Sequence, residues 1–302
     1  MKKIVIVTVN FNTEKDTLEL LNSIEEIENN SYSLEIIIVD NGSRVKFVLP
    51  RGFKKKVMLI RSEENTGFSG GFNIGIKNAL ELGADYVLVI NNDTILRPMM
   101  IENLLKVLEN NEKIGIVTPK IYFAKGHEFH KSRYSKEELG KVFWYAGGYM
   151  DWANIVSVHR GVDEVDKGQY GKTEKTEFAS GCCMLIKKEV FEKVGMFDEK
   201  YFLYYEDADF NQRVKKAGFD IYYVPSASLI HVNAASTGGS GSVLQDYYIT
   251  RNRLLFGIKY APFRSKIALI RESIKLLKSG RDWQKKGIID FYLGKFGKGS
   301  YK

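Results

Sequence analysis

Four apolar runs in the first hundred residues each end in short polar side chains, and those ends hold most of the residues able to do chemistry. IVIVTV (4–9) leads into Asn10-Phe11-Asn12, and EIIIV (35–39) into Asp40-Asn41-Gly42-Ser43. VMLIR (57–61) leads into a stretch ending Glu63-Glu64-Asn65-Thr66-Gly67, and YVLVI (86–90) into Asn91-Asn92-Asp93-Thr94. Asn, Asp and Gly also make ordinary turns. Four such ends in succession point instead to a ligand, because open α/β sheets bind ligands outside the carboxyl ends of their strands. Asp40 can accept hydrogen bonds from the N–H of a base edge. Asp93 can ligate a hard divalent cation, which takes carboxylate oxygens and bridges to substrate phosphates. The GFSGG stretch at 67–71 precedes a helical pattern and lets backbone approach a diphosphate near a helix N-terminus. It matches neither G-x-G-x-x-G nor G-x-x-x-x-G-K-[ST], which disfavours a dinucleotide site and a P-loop.

The second half has its own cluster. YFLYYEDAD (201–209) sets Glu206, Asp207 and Asp209 at the start of a helix, after an aromatic run. Acidic residues favour helix starts in any case, but the aromatic approach suggests a partly buried carboxylate able to act as a general base. His231 closes the strand-like 227–230 and precedes the Gly/Ser-rich 236–242, so it reads equally as a structural histidine or a ligand. His127 and His130 have metal-like spacing, but the Lys-rich surroundings argue against a metal. Cys182 and Cys183 read as packed rather than reactive. The aromatic stretch FWYAGGYMDW (143–152), with Trp144 and Trp152, reads as a hairpin around Gly147-Gly148. Its rings suit stacking on sugars, and suit a local hydrophobic cluster equally well.

Elements that alternate must position these groups. Thr13 opens a helix with Asp16 in capping-box fashion, 72–82 is a helix stopped by Gly83, and Pro98 stands at the first turn of a helix over 99–108. Strands alternating with helices predict an α/β fold with a mostly parallel central sheet flanked by helices. Short helices follow over 187–194 and 206–217, then a strand over 221–224 and helices over 247–260 and 265–279. The chain has 302 residues, 44% hydrophobic and 27% charged, with 27 Gly, 5 Pro and 2 Cys. That composition is globular and leaves no disulfide framework. No signal peptide and no span of about 18 apolar residues is evident, so the expectation is a cytoplasmic protein, soluble or peripheral on a membrane.

Together these pieces resemble the inverting glycosyltransferases of family 2, with a GT-A fold, and most nearly the rhamnosyltransferase-like branch of bacterial surface-polysaccharide assembly. The resemblance rests on IVTVNFN (6–12), IVDNGS (38–43), NTGFSGGFNIG (65–75), INNDT (90–94), the stretch 179–213, His231 and YYITRN (247–252), and runs from residue 3 to about 260. It implies that Val9, Asn10, Asn12 and Asp40 hold the nucleotide base, and that Asn65, Gly67 and Gly71 line the ribose and diphosphate. It implies that Asn91, Asn92 and Asp93 stand at the metal motif, with Asp93 and His231 holding Mg²⁺ or Mn²⁺. Position 91 is Asn where the family has Asp. Asp207, second of the Glu206–Asp207 pair, becomes the catalytic base, and Arg251 a phosphate ligand. The implied donor is a dTDP- or UDP-linked sugar, with dTDP-β-L-rhamnose first, and the acceptor a glycan or polyprenyl-diphosphate-linked hydroxyl. Residues 1–244 would be the catalytic domain, with 1–117 the donor half and 118–244 the acceptor and base half.

Residues 245–302 form a basic extension. After Pro262 there are 11 Lys+Arg and 3 Asp+Glu, which accounts for the whole net charge of +8. Ile267, Ile270, Ile274 and Leu277 share a helical face amid Lys266, Arg271, Lys275 and Lys278. Such a helix reads as a membrane-surface element, or as one packed on the catalytic domain or on a second subunit of a homo-oligomer. Nucleic-acid binding is disfavoured, because the rest of the chain is neutral and carries no binding motif. Two other readings compete: a non-catalytic nucleotide-sugar-binding subunit at the membrane, and a sugar-phosphate nucleotidyltransferase. The nucleotidyltransferase would need a Gly-rich basic loop near 10–20, which is absent.

Overall fold

The computed structural model describes residues 1–27, 31–232 and 242–301. The apolar runs form β1 (Lys2–Asn10), β2 (Tyr32–Asn41), β3 (Lys56–Ser62) and β4 (Tyr86–Ile90). β2 and β4 lie parallel on either side of β1, and β3 lies parallel on β2. Their alternation sorts the helices. Ile4, Ile6, Ile36 and Ile38 face α1 (Glu14–Glu25), while Val5, Val7, Ile37 and Val39 face α2 (Gly67–Glu81). Continuous apolar runs are what strands covered on both faces require. Gly75 is a contact of this packing: a Cβ there would come within 2.2 Å of Val7 Cγ1, so only glycine lets α2 sit this close to β1.

Then come β5 (Thr94–Leu96), α3 (Met100–Glu109) and β6 (Ile114–Phe123). β7 (Phe143–Tyr145), β8 (Gly148–Asp151), β9 (Val156–His159), β10 (Glu174–Lys175) and β11 (Cys183–Lys187) follow. The chain continues through α4 (Lys188–Val194), α5 (Glu206–Lys216), β12 (Asp220–His231), α6 (Val243–Tyr260), α7 (Phe263–Ser279) and α8 (Asp282–Tyr292). The main sheet runs β10-β12-β6-β11-β4-β1-β2-β3. Its first half is parallel, as expected. In the second half β11 is antiparallel to both β4 and β6, while β12 runs parallel to β6.

Several local expectations fail for physical reasons. Residues 143–152 are not a hairpin: β7 joins β6, and β8 pairs with β9 instead. β6 escapes the apolar pattern because Pro119 interrupts it. Pro119 lies opposite Val224, where the pairing with β12 shifts register, so the missing N–H falls at an irregularity. Thr13 precedes α1 but makes no side-chain cap. Pro98 lies in a turn, and left-handed Met99 stands immediately before α3. α2 starts at Gly67 rather than at 72, and α8 had no sequence signal. The Gly/Ser stretch 236–242 lies outside the described residues except for Ser242, whose hydroxyl accepts from Gln245 N at the start of α6.

Candidate active site

Two ionisable centres meet at the carboxyl end of β4. Asp93 follows β4 in a turn, and β5 then pairs antiparallel with the end of β12, with Thr94 opposite His231. Val232 N donates to Asp93 O at 2.8 Å, locking the two chain segments. His231 Nε2 lies 3.2 Å from Asp93 Oδ1, and both side chains are about nine-tenths buried. His231 Nδ1 is buried without a partner. A carboxylate oxygen and an imidazole nitrogen facing each other, with polar capacity unspent, fit a divalent cation that takes its remaining ligands from substrate phosphates. Among the described residues there is no group of three potential protein ligands.

The second centre is Asp207 in the first turn of α5. Its Oδ2 accepts from Gly181 N at 2.9 Å, and its Oδ1 from Ala208 N at 2.7 Å. Gly181 belongs to the Ser180–Cys183 turn that opens β11, and the next carbonyl, Cys182 O, accepts from Asn91 N at 2.9 Å. One turn therefore carries the hydrogen bonds of both centres: the carboxylate on one side, the Asn91–Asp93 segment on the other. A Cβ at Gly181 would come within 2.9 Å of Phe68 Cζ and 3.4 Å of Asp207 Cβ, so a larger residue there would have to push the Phe68 ring aside.

The three carboxylates of the 206–209 cluster have separate fates. Asp209 is fully buried and accepts from Lys259, Tyr260 and Tyr201 on one oxygen and Arg213 on the other. Burial opposes its ionisation, but these donors win and hold its pKa below the ordinary value. It is a tie between α5 and α6. Glu206 is buried with Oε2 unpartnered. Burial, then the charge of Asp207, push its pKa well above the carboxylate range. Burial raises Asp207 too, but amides from Gly181 and Ala208 oppose it. The two amide donors favour the charge on Asp207 and the unpartnered Oε2 favours the proton on Glu206, the distribution a general base at Asp207 would need.

That assignment has a stability signature. Below about pH 4.3, the ordinary glutamate value, Glu206 is protonated in folded and unfolded chains alike. As pH rises, the unfolded chain gains by ionising and the folded chain does not, so stability falls until the raised native pKa is passed. Glu206→Gln should therefore give a flatter decline of melting temperature with pH, and a far smaller turnover loss than Asp207→Asn. An unchanged slope would show that Glu206 is ionised in the fold.

The strand-end side chains are largely bonded to one another. Asn10 Nδ2 donates to Asp40 Oδ1 and Ser43 Oγ, and Asn10 Oδ1 accepts from Thr17 Oγ1. Asp40, buried, accepts from Asn10, Ser43 N, Phe47 N (3.0 Å) and Arg61 Nη1 (2.5 Å). Burial opposes its ionisation, yet the Ser43, Phe47, Arg61 and Asn10 bonds keep its pKa below the usual range. With four donors on two oxygens, a base edge reaches Asp40 only by displacing one of them. Asn65 Oδ1 accepts from Gly67 N and Asn41 Nδ2. Asn92 Nδ2 donates to Thr13 Oγ1 and Thr17 Oγ1, tying β4 to α1. Asn12, left-handed and exposed, receives Arg44 N, and Phe11 beside it is exposed. Asn41, Ser43 and Thr13 stand out in the sequence only as strand and helix ends, and Arg61 and Thr17 not at all, because the partners that define their roles include Asn65, Asn10, Asn92 and Asp40, distant in sequence.

The glycine-rich start of α2 corrects an expectation. Phe68 N and Ser69 N donate to Phe202 O, the former at 2.6 Å, and Gly67 N to Asn65 Oδ1. These amides are committed to protein acceptors rather than to an incoming diphosphate. A Cβ at Gly67 would come within 2.3 Å of Phe202 O, and one at Gly71 within 3.0 Å of Val9 Cγ1, so both glycines serve close packing.

Trp144 stands at the Asp93–His231 pair, its ring 4.6 Å from that of His231 and 4.4 Å from that of His159. Burial lowers the His159 pKa to about 4, so this imidazole is neutral. Trp152 is placed elsewhere, stacked at 5.9 Å on Phe256 of α6. Arg251 is not at the cleft surface. It is fully buried, and its guanidinium donates to the carbonyls of Gly297, Lys200 and Tyr201.

A twisted sheet with an acidic turn after its fourth strand and a carboxylate on a facing helix is the architecture of the GT-A class of glycosyltransferases. The structure superposes on that of "GalNAc-T7 with UDP, GalNAc and Mn2+" with TM-score 0.67 at 14% identity, covering 95% of this chain and 54% of that one, about half its length. The family described as glycosyl transferase family 2 matches residues 4–195, and the chain belongs to it. A second family, described as the N-terminal domain of galactosyltransferase, matches 165–234, which contains Asp207 and His231. Similar proteins include a low-salt glycan biosynthesis hexosyltransferase of Haloferax volcanii, 26% identical over 83% of this chain and 74% of its own. An N-acetylglucosaminyl-diphospho-decaprenol L-rhamnosyltransferase of Mycobacterium tuberculosis is 27% identical over 68% of each chain. A dTDP-rhamnosyl transferase of Shigella flexneri is 28% identical over 82% of this chain and 78% of its own. The chain is a glycosyltransferase.

Proposed function

We propose that this protein moves a sugar, L-rhamnose from dTDP-β-L-rhamnose first among candidates and otherwise a UDP-linked sugar, onto a hydroxyl of a glycan or polyprenyl-diphosphate-linked acceptor in cell-surface polysaccharide assembly. The observation that carries this reading is the shared Ser180–Cys183 turn, which joins Asp207 to the Asp93 segment. The rhamnosyl donor and lipid-linked acceptor are supported by the names of the mycobacterial and Shigella relatives.

Asp93 and His231 would hold Mg²⁺ or Mn²⁺, which supplies neutralisation of the charge on the leaving diphosphate. The nucleotide lies over the ends of β1 and β2, near Val9, Asn12 and Phe11, with the Asn10–Asp40–Asn65 network supporting the loops beneath it. Asn91 and Asn92 shape the turn that presents Asp93. Trp144 walls the sugar site. Asp207 takes the proton of the acceptor hydroxyl as its oxygen bonds to the anomeric carbon. The bond to the diphosphate oxygen breaks with its electron pair, and the anomeric centre inverts. A non-catalytic binding subunit would release no nucleoside diphosphate in the presence of metal. Wild-type release that is lost in Asp207→Asn separates the two readings.

The same reading places the protein on an anionic membrane surface, with residues 245–302 as the contact. Leu269 and Ser273 are buried and Leu277 packs on the core, so within the apolar stripe it is Ile270 and Ile274 that face outward. Phe263, Ile270 and Ile274 of α7 and Ile289 and Tyr292 of α8 are exposed, with Arg271, Lys275 and Lys278 exposed beside them. Basic residues around an exposed apolar face suit an acidic lipid headgroup layer. Among the described residues no helix is long and apolar enough to cross a membrane. The chain should sediment with phosphatidylglycerol-containing vesicles and not with phosphatidylcholine alone, and Ile270→Asp/Ile274→Asp should abolish the difference. A concentration-dependent dimer broken by the same substitutions, without vesicle binding, would assign the face to a second copy.

A further inference from the structure

We infer that Arg251 and Asn252 of α6 are positioning residues for Asp207, an assignment that rests on reading Asp207 as the base. The chain reaches Asp207 through an improbable loop. Phe202, Tyr204 and Tyr205 have φ of +63°, +68° and +71°, a left-handed region that bulky side chains avoid and that persists only where surrounding contacts enforce it. Those contacts come from two adjacent residues. Asn252 Nδ2 donates to the carbonyls of Tyr201 at 2.7 Å, Leu203 at 2.8 Å and Tyr204 at 2.9 Å. Arg251 Nη2 donates to Lys200 O and Tyr201 O at 3.2 and 3.0 Å. Arg251 Nε donates to Asn252 Oδ1 at 2.9 Å, which fixes the side-chain amide with its N–H groups toward the loop.

Both residues are fully buried, so neither touches a substrate. The loop they hold has two outputs. At its centre Phe202 O receives Phe68 N and Ser69 N, closing the start of α2. At its end the chain enters α5, where Asp207 meets Gly181. Arg251 Nη1 also donates to Gly297 O at 2.7 Å, so the C-terminal segment is part of the same support. α6 is thus the back wall of the base, although it carries no reacting group.

The test uses the full chain with Asn252→Ser, which removes the forked donor, and Arg251→Lys, a milder variant that keeps the charge. Three quantities are read: backbone amide exchange, affinity for dTDP and UDP with Mn²⁺, and release of nucleoside diphosphate from dTDP-rhamnose and UDP-sugars. Asn252→Ser should speed exchange in 201–208 by about tenfold or more, with β1, β2 and β4 unchanged. Nucleotide affinity should stay within about threefold while kcat falls roughly 10–100-fold, because a base displaced by about 1 Å loses that order of rate. Arg251→Lys should retain an intermediate kcat. Unchanged exchange in 201–208 overturns the inference, as does a kcat loss matched by equal loss of affinity and faster exchange throughout. If the wild type turns over no nucleotide-sugar, the base reading fails, and exchange alone then decides whether these residues hold the loop.

Discussion

Asp207→Asn should lose about 10²- to 10⁴-fold of turnover, the range general-base assistance supplies, while binding donor as the wild type does. The substitution is isosteric. Its amide oxygen can still accept from Gly181 N, so the Ser180–Cys183 turn and the Asn91 segment bonded to it stay in place, while the bond from Ala208 N to the other oxygen is given up. What is lost is the proton acceptor. Asp209 cannot replace it, being fully buried with one oxygen ion-paired to Lys259 and the other to Arg213. Glu206 cannot either, because burial and the neighbouring charge keep it protonated. Steady-state release of nucleoside diphosphate, beside nucleotide affinity, checks this. Equal turnover in the variant would remove Asp207 from the role.

Asp93→Asn should remove metal-dependent nucleotide binding and lower turnover by roughly 10²–10³-fold, since charge stabilisation by a bound cation is worth several kcal/mol and about 1.4 kcal/mol is tenfold. Asp93 O keeps its bond from Val232 N, so the β5–β12 connection should survive. His231→Ala should have the same sign and a smaller effect, because it removes an imidazole nitrogen rather than a carboxylate oxygen from the pair. Titration with Mn²⁺ at fixed nucleotide reads both. Undiminished Mn²⁺ dependence in Asp93→Asn would move the cation elsewhere.

The strands and first helices were legible because burial on both faces leaves an uninterrupted apolar signature, as in residues 4–9 and 86–90. The polar strand ends were equally visible, but their use was not. Asn10 meets Asp40 across 30 residues and Asn92 meets Thr13 across 79, so a side chain spent on a neighbouring loop looks identical to one kept for a ligand. The same holds for Asp40: removing it leaves Arg61 Nη1 and Phe47 N without their acceptor, so lost nucleotide binding in Asp40→Ala would report a disturbed loop as readily as a lost base contact. The resemblance implies a phosphate ligand at Arg251, whereas its partners are main-chain carbonyls, which leave no trace in side-chain pattern. The left-handed aromatic residues of 202–205 had no signal, since nothing in YFLYYED announces a conformation that Gly normally supplies. Periodicity in α7 found the apolar stripe but not its direction. Packing of Leu269, Ser273 and Leu277 decided that, leaving Ile270 and Ile274 outermost.

The most direct test is calorimetric titration of dTDP and of UDP, with and without Mn²⁺, into the wild type, Asp207→Asn and Asp93→Asn. The account predicts Mn²⁺-dependent binding of one nucleotide to the wild type, the same binding to Asp207→Asn, and none to Asp93→Asn. A ligand at about 100 times its Kd also stabilises the fold by roughly 2.7 kcal/mol, which a parallel melt would show. Binding that ignores Mn²⁺, or that survives Asp93→Asn unchanged, would contradict a donor site built on Asp93 and His231.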